Sequence, residues 1–185
     1  MGMPNSTDQW TAERVQALPD DGMRHELIDG ELIVTPAPAW SHQRAVMALY
    51  RQLHGCVVDS AIGDVIVAPA DIVFDQHTLV EPDLFVVPLV DGRKPADWAV
   101  VGALLLVIEV LSPSTARCDR ELKRRRYQRE RVPEYWIVDV ACRLVERWRP
   151  DDTRPEIVTG TLPWRPAGAA DACIVDLETV FQETE

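Results

Sequence analysis

The chain of 185 residues is 46% hydrophobic and 26% charged, which is the composition of an ordinary soluble globular protein, long enough for one domain with a hydrophobic core. No apolar run approaches the roughly 20 residues that span a bilayer, and the N-terminus lacks the basic start and apolar stretch of a secretory signal. The net charge of −11 argues against nucleic acid wrapping around the whole surface.

Basic residues are concentrated in one window of this acidic chain. Of the 19 Lys and Arg residues, eight lie between Arg117 and Arg131 together with three acids, so this window carries +5 and the rest of the chain −16. We call the window Arg117 to Arg131 the basic strip. A basic strip on an acidic body is a candidate for an element that faces phosphate groups.

The cysteines bear on the cellular compartment. Cys56, Cys118, Cys142 and Cys173 are widely scattered and include no CxxC pair, whereas zinc sites and small disulfide frameworks use tighter groupings. Free thiols in a reducing compartment are the simplest account of this spacing. The sequence therefore predicts a cytoplasmic protein.

The first elements in chain order are a helix, a hairpin and a second helix. Residues 7–18 open with a Thr cap and have apolar residues at roughly helical spacing. Residues 25–34 alternate around Asp29-Gly30, a strong two-residue turn signal, and predict a β-hairpin. A second helix is predicted at 41–53, with Ser41 as its N-cap.

The following segments predict a mixed β-sheet. The run 104–111 is almost wholly apolar, as expected of a central strand covered on both faces, and residues 119–130 predict a helix after it. Other strands are predicted at 65–67, 71–74, 81–87, 135–140, 144–148 and 173–177. The fold class is therefore α/β, a mixed β-sheet flanked by helices in one domain of residues 1–185, with its core at about 20–148 and a C-terminal extension at 149–185.

Two acids lie where a core strand should be apolar. Glu109 is inside the run LLLVIEVL, where an unpaired carboxylate costs several kcal/mol, and Asp83 heads the apolar run LFVV. Alternatively, Glu109 reaches solvent or pairs with an arginine, and Asp83 after Pro82 forms a turn. Taken together, two carboxylates on neighbouring strands can share one hard cation such as Mg²⁺, which prefers oxygen ligands.

Lys123 is the third candidate site residue. In a helix from Asp119, residues 119, 123 and 127 share one face, so Lys123 lies beside Tyr127, an aromatic expected to point inward. A short connection brings this helix back across the end of the Glu109 strand. The alternative is a solvated charged helix stabilised by i,i+4 pairs, which we favour for most of its arginines.

For two further residues the sequence leaves more than one interpretation open. Glu26 fits an ordinary half-exposed position beside the hairpin turn, although a site role is open. His42, just inside a predicted helix start, fits a cap-region, surface or site residue.

Three segments together resemble the Uma2 family. They are HELIDGELIVTPAPAWSHQRAV, EPDLFVV and LVIEVLSPSTARCDRELKRRRYQRERVPEYWIVD, and the resemblance covers roughly Asp20 to Trp148. Uma2 proteins are bacterial proteins proposed to be restriction endonucleases, within the PD-(D/E)XK nuclease superfamily. The resemblance implies a restriction-endonuclease-like (PD-(D/E)XK) fold and a homodimer.

The resemblance also implies roles for individual residues. Pro82-Asp83 corresponds to the "PD" element and Glu109 to the following acid, whereas position 111, which usually carries the lysine, is Leu. As in the family, the lysine function appears at Lys123 in the following helix. Glu26 matches an acid that completes the metal shell, and His42 and Tyr127 match family positions without an assigned role.

The primary hypothesis is a Mg²⁺- or Mn²⁺-dependent endonuclease that hydrolyses phosphodiester bonds, with DNA as the favoured substrate. Asp83, Glu109 and the backbone carbonyl of Val110 would hold the metal, and Lys123 would orient or help deprotonate the attacking water. Candidate phosphate contacts beside them are Arg120 and Arg124. The alternatives are a catalytically silent binding or dimerisation module with the same fold, and a nuclease acting on RNA or branched DNA.

Overall fold

The computed structural model describes residues 9–95 and 103–185, and the described strands form three β-sheets. In chain order the strands are β1 (Arg24–Ile28), β2 (Glu31–Thr35), β3 (Gly63–Val67), β4 (Ile72–Asp75), β5 (Thr78–Val80), β6 (Leu84–Pro88), β7 (Leu106–Val110), β8 (Tyr135–Asp139), β9 (Leu144–Trp148), β10 (Glu156–Val158), β11 (Thr161–Trp164) and β12 (Cys173–Asp176). The helices are α1 (Ala12–Gln16), α2 (Trp40–Asp59), α3 (Ala116–Cys118), α4 (Arg124–Arg129) and α5 (Leu177–Gln182), and a π-helical segment (Asp119–Lys123) joins α3 to α4.

The main sheet is mixed, with the strand order β10-β9-β8-β7-β6-β3. β7 and β8 are parallel because the helical connection between them returns the chain to the same end of the sheet. The other neighbouring strands of this sheet are antiparallel. An antiparallel sheet with the order β2-β1-β5-β4 and a pair formed by β11 and β12 complete the architecture, which confirms the predicted α/β fold with a mixed sheet and helices.

The two faces of β7 point into different hydrophobic clusters. Leu106, Ile108 and Val110 pack in the cluster that includes α2. Val107 points to the opposite face and packs with Tyr127 of α4. Because side chains alternate along a strand, Glu109 lies on the same face as Val107 and therefore faces the helix that follows β7.

Both N-terminal helices differ from their predicted boundaries. α1 begins at Ala12, and Thr11 is its N-cap because the Thr11 hydroxyl accepts from the backbone N–H of Arg14; the predicted Thr7 cap lies outside the described residues. α2 begins at Trp40 and its N-cap, Ala39, makes no side-chain hydrogen bond, so the predicted Ser41 cap is wrong. Among the helices in the described residues, none combines the length and apolar character that a membrane span requires.

The strand predictions near the hairpin and near Asp83 had different outcomes. The hairpin is confirmed: Asp29 and Gly30 both have positive φ values, 51° and 87°, as a type I′ turn requires. The strand predicted at 81–87 is present as β6, but its predicted start at Glu81 is wrong, because β6 begins at Leu84. The three-residue strand β5 was not predicted, since so short a run carries little periodic signal.

The region after Trp148 contributes to the main core. Leu162, Trp164 and Phe181 are 0–1% exposed and belong to the cluster that packs on α2 and β7. The ring of Trp164 meets the edge of the Trp136 ring of β8, with 6.2 Å between centroids. The hydrophobic core therefore extends beyond residues 20–148, the region predicted to contain it.

Two cysteines predicted to be free are paired in the structure. Cys56 of α2 and Cys173 of β12 form a disulfide with 5.8 Å between their Cα atoms. The pairing was missed because 117 residues separate them and only the packing of β12 against α2 brings them together. Cys118 and Cys142 are free, so the argument from four free thiols to a reducing compartment does not hold.

Candidate active site

The two strand acids of the sequence analysis meet at one end of β6 and β7. Leu84 pairs with Ile108 in this antiparallel ladder, so the same register continued by one residue sets Asp83 opposite Glu109. Asp83 is 2% exposed and Glu109 is 1% exposed. Their meeting follows from strand pairing, and both carboxylates lie on the face covered by the helical segments after β7.

Lys123 is at the centre of the acidic cluster. Its Nζ lies 2.9 Å from Glu109 Oε1, 2.8 Å from Glu26 Oε1 and 3.7 Å from Asp119 Oδ1. The side chain of Lys123 is 2% exposed. The predicted buried face of the helix is confirmed, because Asp119, Lys123 and Tyr127 are all buried, and the Tyr127 hydroxyl donates to Glu109 Oε1 at 3.2 Å.

Asp83 has a separate set of hydrogen-bond donors. Arg24 Nη1 donates to Asp83 Oδ1 at 2.9 Å. His42 Nε2 lies 3.0 Å from Oδ2, which also accepts from the backbone N–H of Val110 at 2.8 Å. The structure thus brings His42, for which the sequence left cap-region, surface and site roles open, to Asp83. Val110 contacts Asp83 through its N–H group, whereas the sequence analysis proposed its carbonyl as a metal ligand.

Negative charge exceeds positive charge in this buried region. The four buried carboxylates are Glu26, Asp83, Glu109 and Asp119, and the cations that contact them are Lys123 and Arg24, which leaves a surplus of two negative charges before His42 is counted. A surplus of buried charge is costly unless a cation or protons compensate it.

The pKa values of the acids respond to this surplus. Burial raises the pKa of Glu109 well above its usual range, and the charges of Asp83, Asp119 and Glu26 raise it further, against the opposing effect of Lys123. Burial also raises the pKa of Asp119 to about 6. Without another cation, Glu109 and Asp119 therefore keep their protons to a higher pH than ordinary carboxyl groups do.

The pKa values of Asp83 and Lys123 are shifted in the directions that favour their charged forms. Burial by itself would raise the pKa of Asp83, but the hydrogen bond and charge of His42, with the charge of Arg24, outweigh it and lower the pKa to about 2. Burial by itself would lower the pKa of Lys123, but Glu109, Glu26 and Asp119 raise it well above its usual range. An aspartate and an ammonium group are therefore present near neutral pH.

The donor set fits a hard divalent cation in chemistry and in charge. Carboxylate oxygens are the ligands that Mg²⁺ and Mn²⁺ prefer, the surplus of negative charge would be balanced by one divalent ion, and the buried Asp119 Oδ1 has no hydrogen-bond partner. Within residues 9–95 and 103–185, however, no three His, Cys, Asp or Glu side chains form a ready-made metal cluster. The Lys123 ammonium group lies between two of the carboxylates instead.

The basic strip is not an open phosphate-facing surface. Arg120 pairs with Asp139 of β8 and Glu146 of β9. Arg124 lies over the Trp148 ring, 4.6 Å from its centroid. Neither guanidinium group contacts the acidic cluster. Other members of the strip that pair with acids are Arg117, Arg126, Arg129 and Arg131. The charge excess read from the sequence is therefore largely neutralised by residues from other segments.

Arg24 and Asp119 belong to the cluster although the sequence analysis did not include them among the site residues. Arg24 is two residues before Glu26 in β1, so strand alternation would have predicted a shared face. Asp119 is four residues before Lys123 and was predicted to share its helical face. In both cases a spacing signal was available, but the cluster into which these faces point was unknown.

The fold defines the class of protein as α/β, with a mixed sheet and helices. A crystal structure of a putative nuclease belonging to DUF820 from Anabaena variabilis matches with a TM-score of 0.75 at 19% identity, covering 95% of this chain and 99% of that one. The model of the family described as Uma2, putative restriction endonuclease, matches residues 12–168. The chain therefore belongs to the Uma2 family. No significant match was found among curated proteins.

Proposed function

We propose that this Uma2 protein is a metal-dependent endonuclease that hydrolyses phosphodiester bonds in DNA. The observation that carries the proposal is the convergence of Glu26, Glu109 and Asp119 around Lys123, with Asp83 opposite Glu109, in a buried region of surplus negative charge. Buried charges in proteins are normally paired or coordinate a metal ion, so a set of buried carboxylates that is not balanced is a candidate cation site.

Asp83, Glu109 and the backbone carbonyl of Val110, with Glu26 as a further ligand, would hold Mg²⁺ or Mn²⁺. Such an ion supplies Lewis-acid polarisation of a phosphoryl oxygen and lowers the pKa of water. His42 and Arg24 keep Asp83 ionised and fix the orientation of its carboxylate.

Lys123 provides a positive charge that does not depend on a bound ion. Its ammonium group would hold the attacking water or the developing negative charge on the phosphoryl oxygens. Tyr127 orients Glu109 by donating to the same Oε1 atom that accepts from Lys123. The two donors restrict the rotation of the Glu109 carboxylate, which preorganises it before substrate binds.

The experiment is a cleavage assay with Mg²⁺, Mn²⁺ or EDTA on linear and branched DNA and on RNA. We expect DNA cleavage that requires the ion, and its loss by at least about a hundredfold in Asp83→Asn and Glu109→Gln. The matched control is Glu31→Gln, which removes an exposed acid from the same hairpin as Glu26 and should retain activity. Cleavage that is unchanged in both site variants would refute the proposal.

A second candidate function, a nuclease-fold module without catalysis, is favoured by one observation. The Lys123 ammonium group already bridges Glu26 and Glu109, and all three side chains are at most 2% exposed. Calorimetry with Mn²⁺ separates the two candidates. Binding that disappears in Asp83→Asn supports the enzyme, whereas no heat of binding in the original protein supports the module.

A further inference from the structure

The Lys123 ammonium group occupies the space between two of the carboxylates that would bind a cation. Its Nζ atom lies 2.8 Å from Glu26 Oε1 and 2.9 Å from Glu109 Oε1. Because like charges repel, an ammonium group in this position opposes the binding of a divalent cation by the same two acids. Binding of the cation there therefore requires a second position for the ammonium group.

Glu26 and Glu109 each have one hydrogen-bond donor besides Lys123. The backbone N–H of Glu81 donates to Glu26 Oε1 at 2.8 Å, and the Tyr127 hydroxyl donates to Glu109 Oε1 at 3.2 Å. These are the same two oxygens that Lys123 contacts. Departure of the ammonium group therefore leaves neither oxygen without any hydrogen bond, and a bound cation would replace its charge.

Asp119 provides an acceptor for the displaced ammonium group. Its Oδ1 atom lies 3.7 Å from Lys123 Nζ, which is longer than a hydrogen bond. This oxygen has no hydrogen-bond partner although the residue is only 1% exposed, and the Thr115 contact of the same carboxyl group does not satisfy it. A buried carboxylate oxygen without a donor is costly, so a hydrogen bond from Lys123 would stabilise it.

The π-helical segment sets the distance between the two side chains. Asp119 and Lys123 are its first and last residues, and the backbone N–H of Arg124 donates to the Asp119 carbonyl in the i→i+5 pattern. The Tyr135 hydroxyl donates to the same carbonyl at 3.1 Å, which fixes the backbone at Asp119. A shift of about 1 Å, which the flexible lysine side chain permits, would bring the ammonium group within hydrogen-bond distance of Oδ1.

We infer that Asp119 is a positioning residue that accepts the Lys123 ammonium group when Glu26 and Glu109 bind a divalent cation. This role of Asp119 rests on the proposed function, which supplies the cation. Beside Asp119 the ammonium group leaves the oxygens of Glu26 and Glu109 to the cation. It also remains in the cluster, where the proposed chemistry uses its positive charge. Without the Asp119 carboxylate, the ammonium group would compete with the cation for both acids.

Calorimetric titration with Mn²⁺ at pH 8, above the pKa of Asp119, compares the original protein, Asp119→Asn, Lys123→Met and the double variant. In the original background we expect Asp119→Asn to weaken Mn²⁺ binding at least about tenfold, because the ammonium group stays with Glu26 and Glu109. With Lys123→Met no ammonium group has to move, so the same substitution should weaken binding at most about threefold. Glu121→Gln removes an exposed charge from the same segment and should leave the affinity unchanged.

A nuclear magnetic resonance measurement follows the ammonium group itself and does not require Lys123→Met to fold. The chain has two lysines, Lys94 and Lys123, so ¹⁵N-lysine labelling gives two side-chain signals. At saturation, Mg²⁺ should shift the Lys123 signal in the original protein, because its acceptors change, and should shift it less in Asp119→Asn. The Lys94 signal is the internal control, since this exposed ammonium group pairs with Asp64 and should not respond.

Two results would overturn this role of Asp119. One is an equal loss of Mn²⁺ affinity from Asp119→Asn in both backgrounds, which would indicate a direct ligand or a remote charge. The other is a Lys123 signal that does not shift although Mg²⁺ binds. Absence of ion binding in the original protein would overturn this role together with the proposed metal dependence. The expected results in a protein that cleaves no nucleic acid would support the role of Asp119 and refute only the proposed nuclease activity.

Discussion

Lys123 contributes both to the stability of the fold and to the proposed chemistry. Its ammonium group is buried with three carboxylates within 3.7 Å. The free-energy cost of desolvating this lysine is offset only by its interactions with the three carboxylates. The converse also holds, since Glu26 and Glu109 depend on Lys123 for a hydrogen-bond donor.

We expect Lys123→Met to lower the free energy of unfolding by about 3–5 kcal/mol, because it leaves buried carboxylates without their cation. Urea denaturation measures the change. The other lysine of the chain is the matched control: Lys94 pairs with Asp64 but its side chain is 55% exposed, so Lys94→Met should cost at most about 1 kcal/mol. Equal effects of the two substitutions would contradict a structural role for the Lys123 network.

The response of the Lys123→Met variant to added Mn²⁺ should distinguish the effect of the lost charge from the effect of lost packing. Lys123→Met increases the surplus of negative charge, so we expect Mn²⁺ to raise the melting temperature of this variant more than that of the original protein. In Asp83→Asn the rise should be smaller. A rise of the same size in all three proteins would indicate that the ion binds elsewhere.

At the scale of elements, α4 connects two turns that are distant in sequence. Arg126 donates to Asp29 in the β1–β2 turn at 2.9 Å and to Asp75 at the end of β4 at 2.8 Å. Arg129 donates to both oxygens of Asp29. Lys123 ends the π-helical segment that leads into α4, one turn before Arg126. The contacts of Arg126 and Arg129 therefore hold the helical region that carries Lys123 against the β2-β1-β5-β4 sheet.

These contacts predict a dependence of stability on pH. Hydrogen bonds from Arg129 and Arg126 lower the pKa of Asp29, and although burial opposes it, the hydrogen bond from Arg126 lowers the pKa of Asp75. A lowered folded-state pKa contributes stability above the unfolded value of 3.8, and that contribution is lost as pH falls through the folded value. Both carboxylates are about half exposed, so the contribution is at most about 1 kcal/mol.

The measurement compares urea unfolding of the original protein with that of Asp29→Asn/Asp75→Asn. We expect the difference in free energy of unfolding to be constant above about pH 5 and to shrink toward pH 3. A difference that grows with acidification would have the wrong sign for lowered pKa values.

The disulfide is a second link between elements. It closes a span of 117 residues between α2 and β12. We expect Cys56→Ser to lower the free energy of unfolding by about 2–4 kcal/mol in oxidising buffer, and dithiothreitol to lower the melting temperature of the original protein. Cys142→Ser, at an exposed free thiol, is the control and should change neither value. If dithiothreitol has no effect, the two thiols are not bonded in solution.

At the scale of the whole molecule, the C-terminal region completes the core that supports the site. β11, β12 and α5 cover α2 and one face of the main sheet, and the opposite face carries Glu109. The homodimer that the family resemblance implies stays a prediction, which size-exclusion chromatography with light scattering can test.

Trp164→Ala tests this role of the C-terminal region. We expect a loss of about 3–5 kcal/mol in the free energy of unfolding, because the ring is 1% exposed and packs on Trp136. Ile174→Ala, on the paired strand but 58% exposed, should change stability by at most about 0.5 kcal/mol. Similar effects would mean that the tail is not part of the cooperative core.

Local sequence patterns predicted the hairpin, the long helix α2 and the central strands, and they marked Asp83, Glu109 and Lys123 as candidate site residues. An acid inside a wholly apolar strand, a second acid before another strand, and a lysine on the face of Tyr127 are local signals, because burial periodicity and the cost of buried charge act on neighbouring residues. The type I′ turn at Asp29-Gly30 was readable for the same reason.

Long-range packing determined which distant residues meet. The β6–β7 register brought Asp83 opposite Glu109, the return of the helical segments put Lys123 between Glu26 and Glu109, and packing of β12 on α2 paired Cys56 with Cys173. The acids that neutralise the basic strip also come from other elements. Such contacts depend on chain closure over long sequence separations, so no local pattern of residues encodes them.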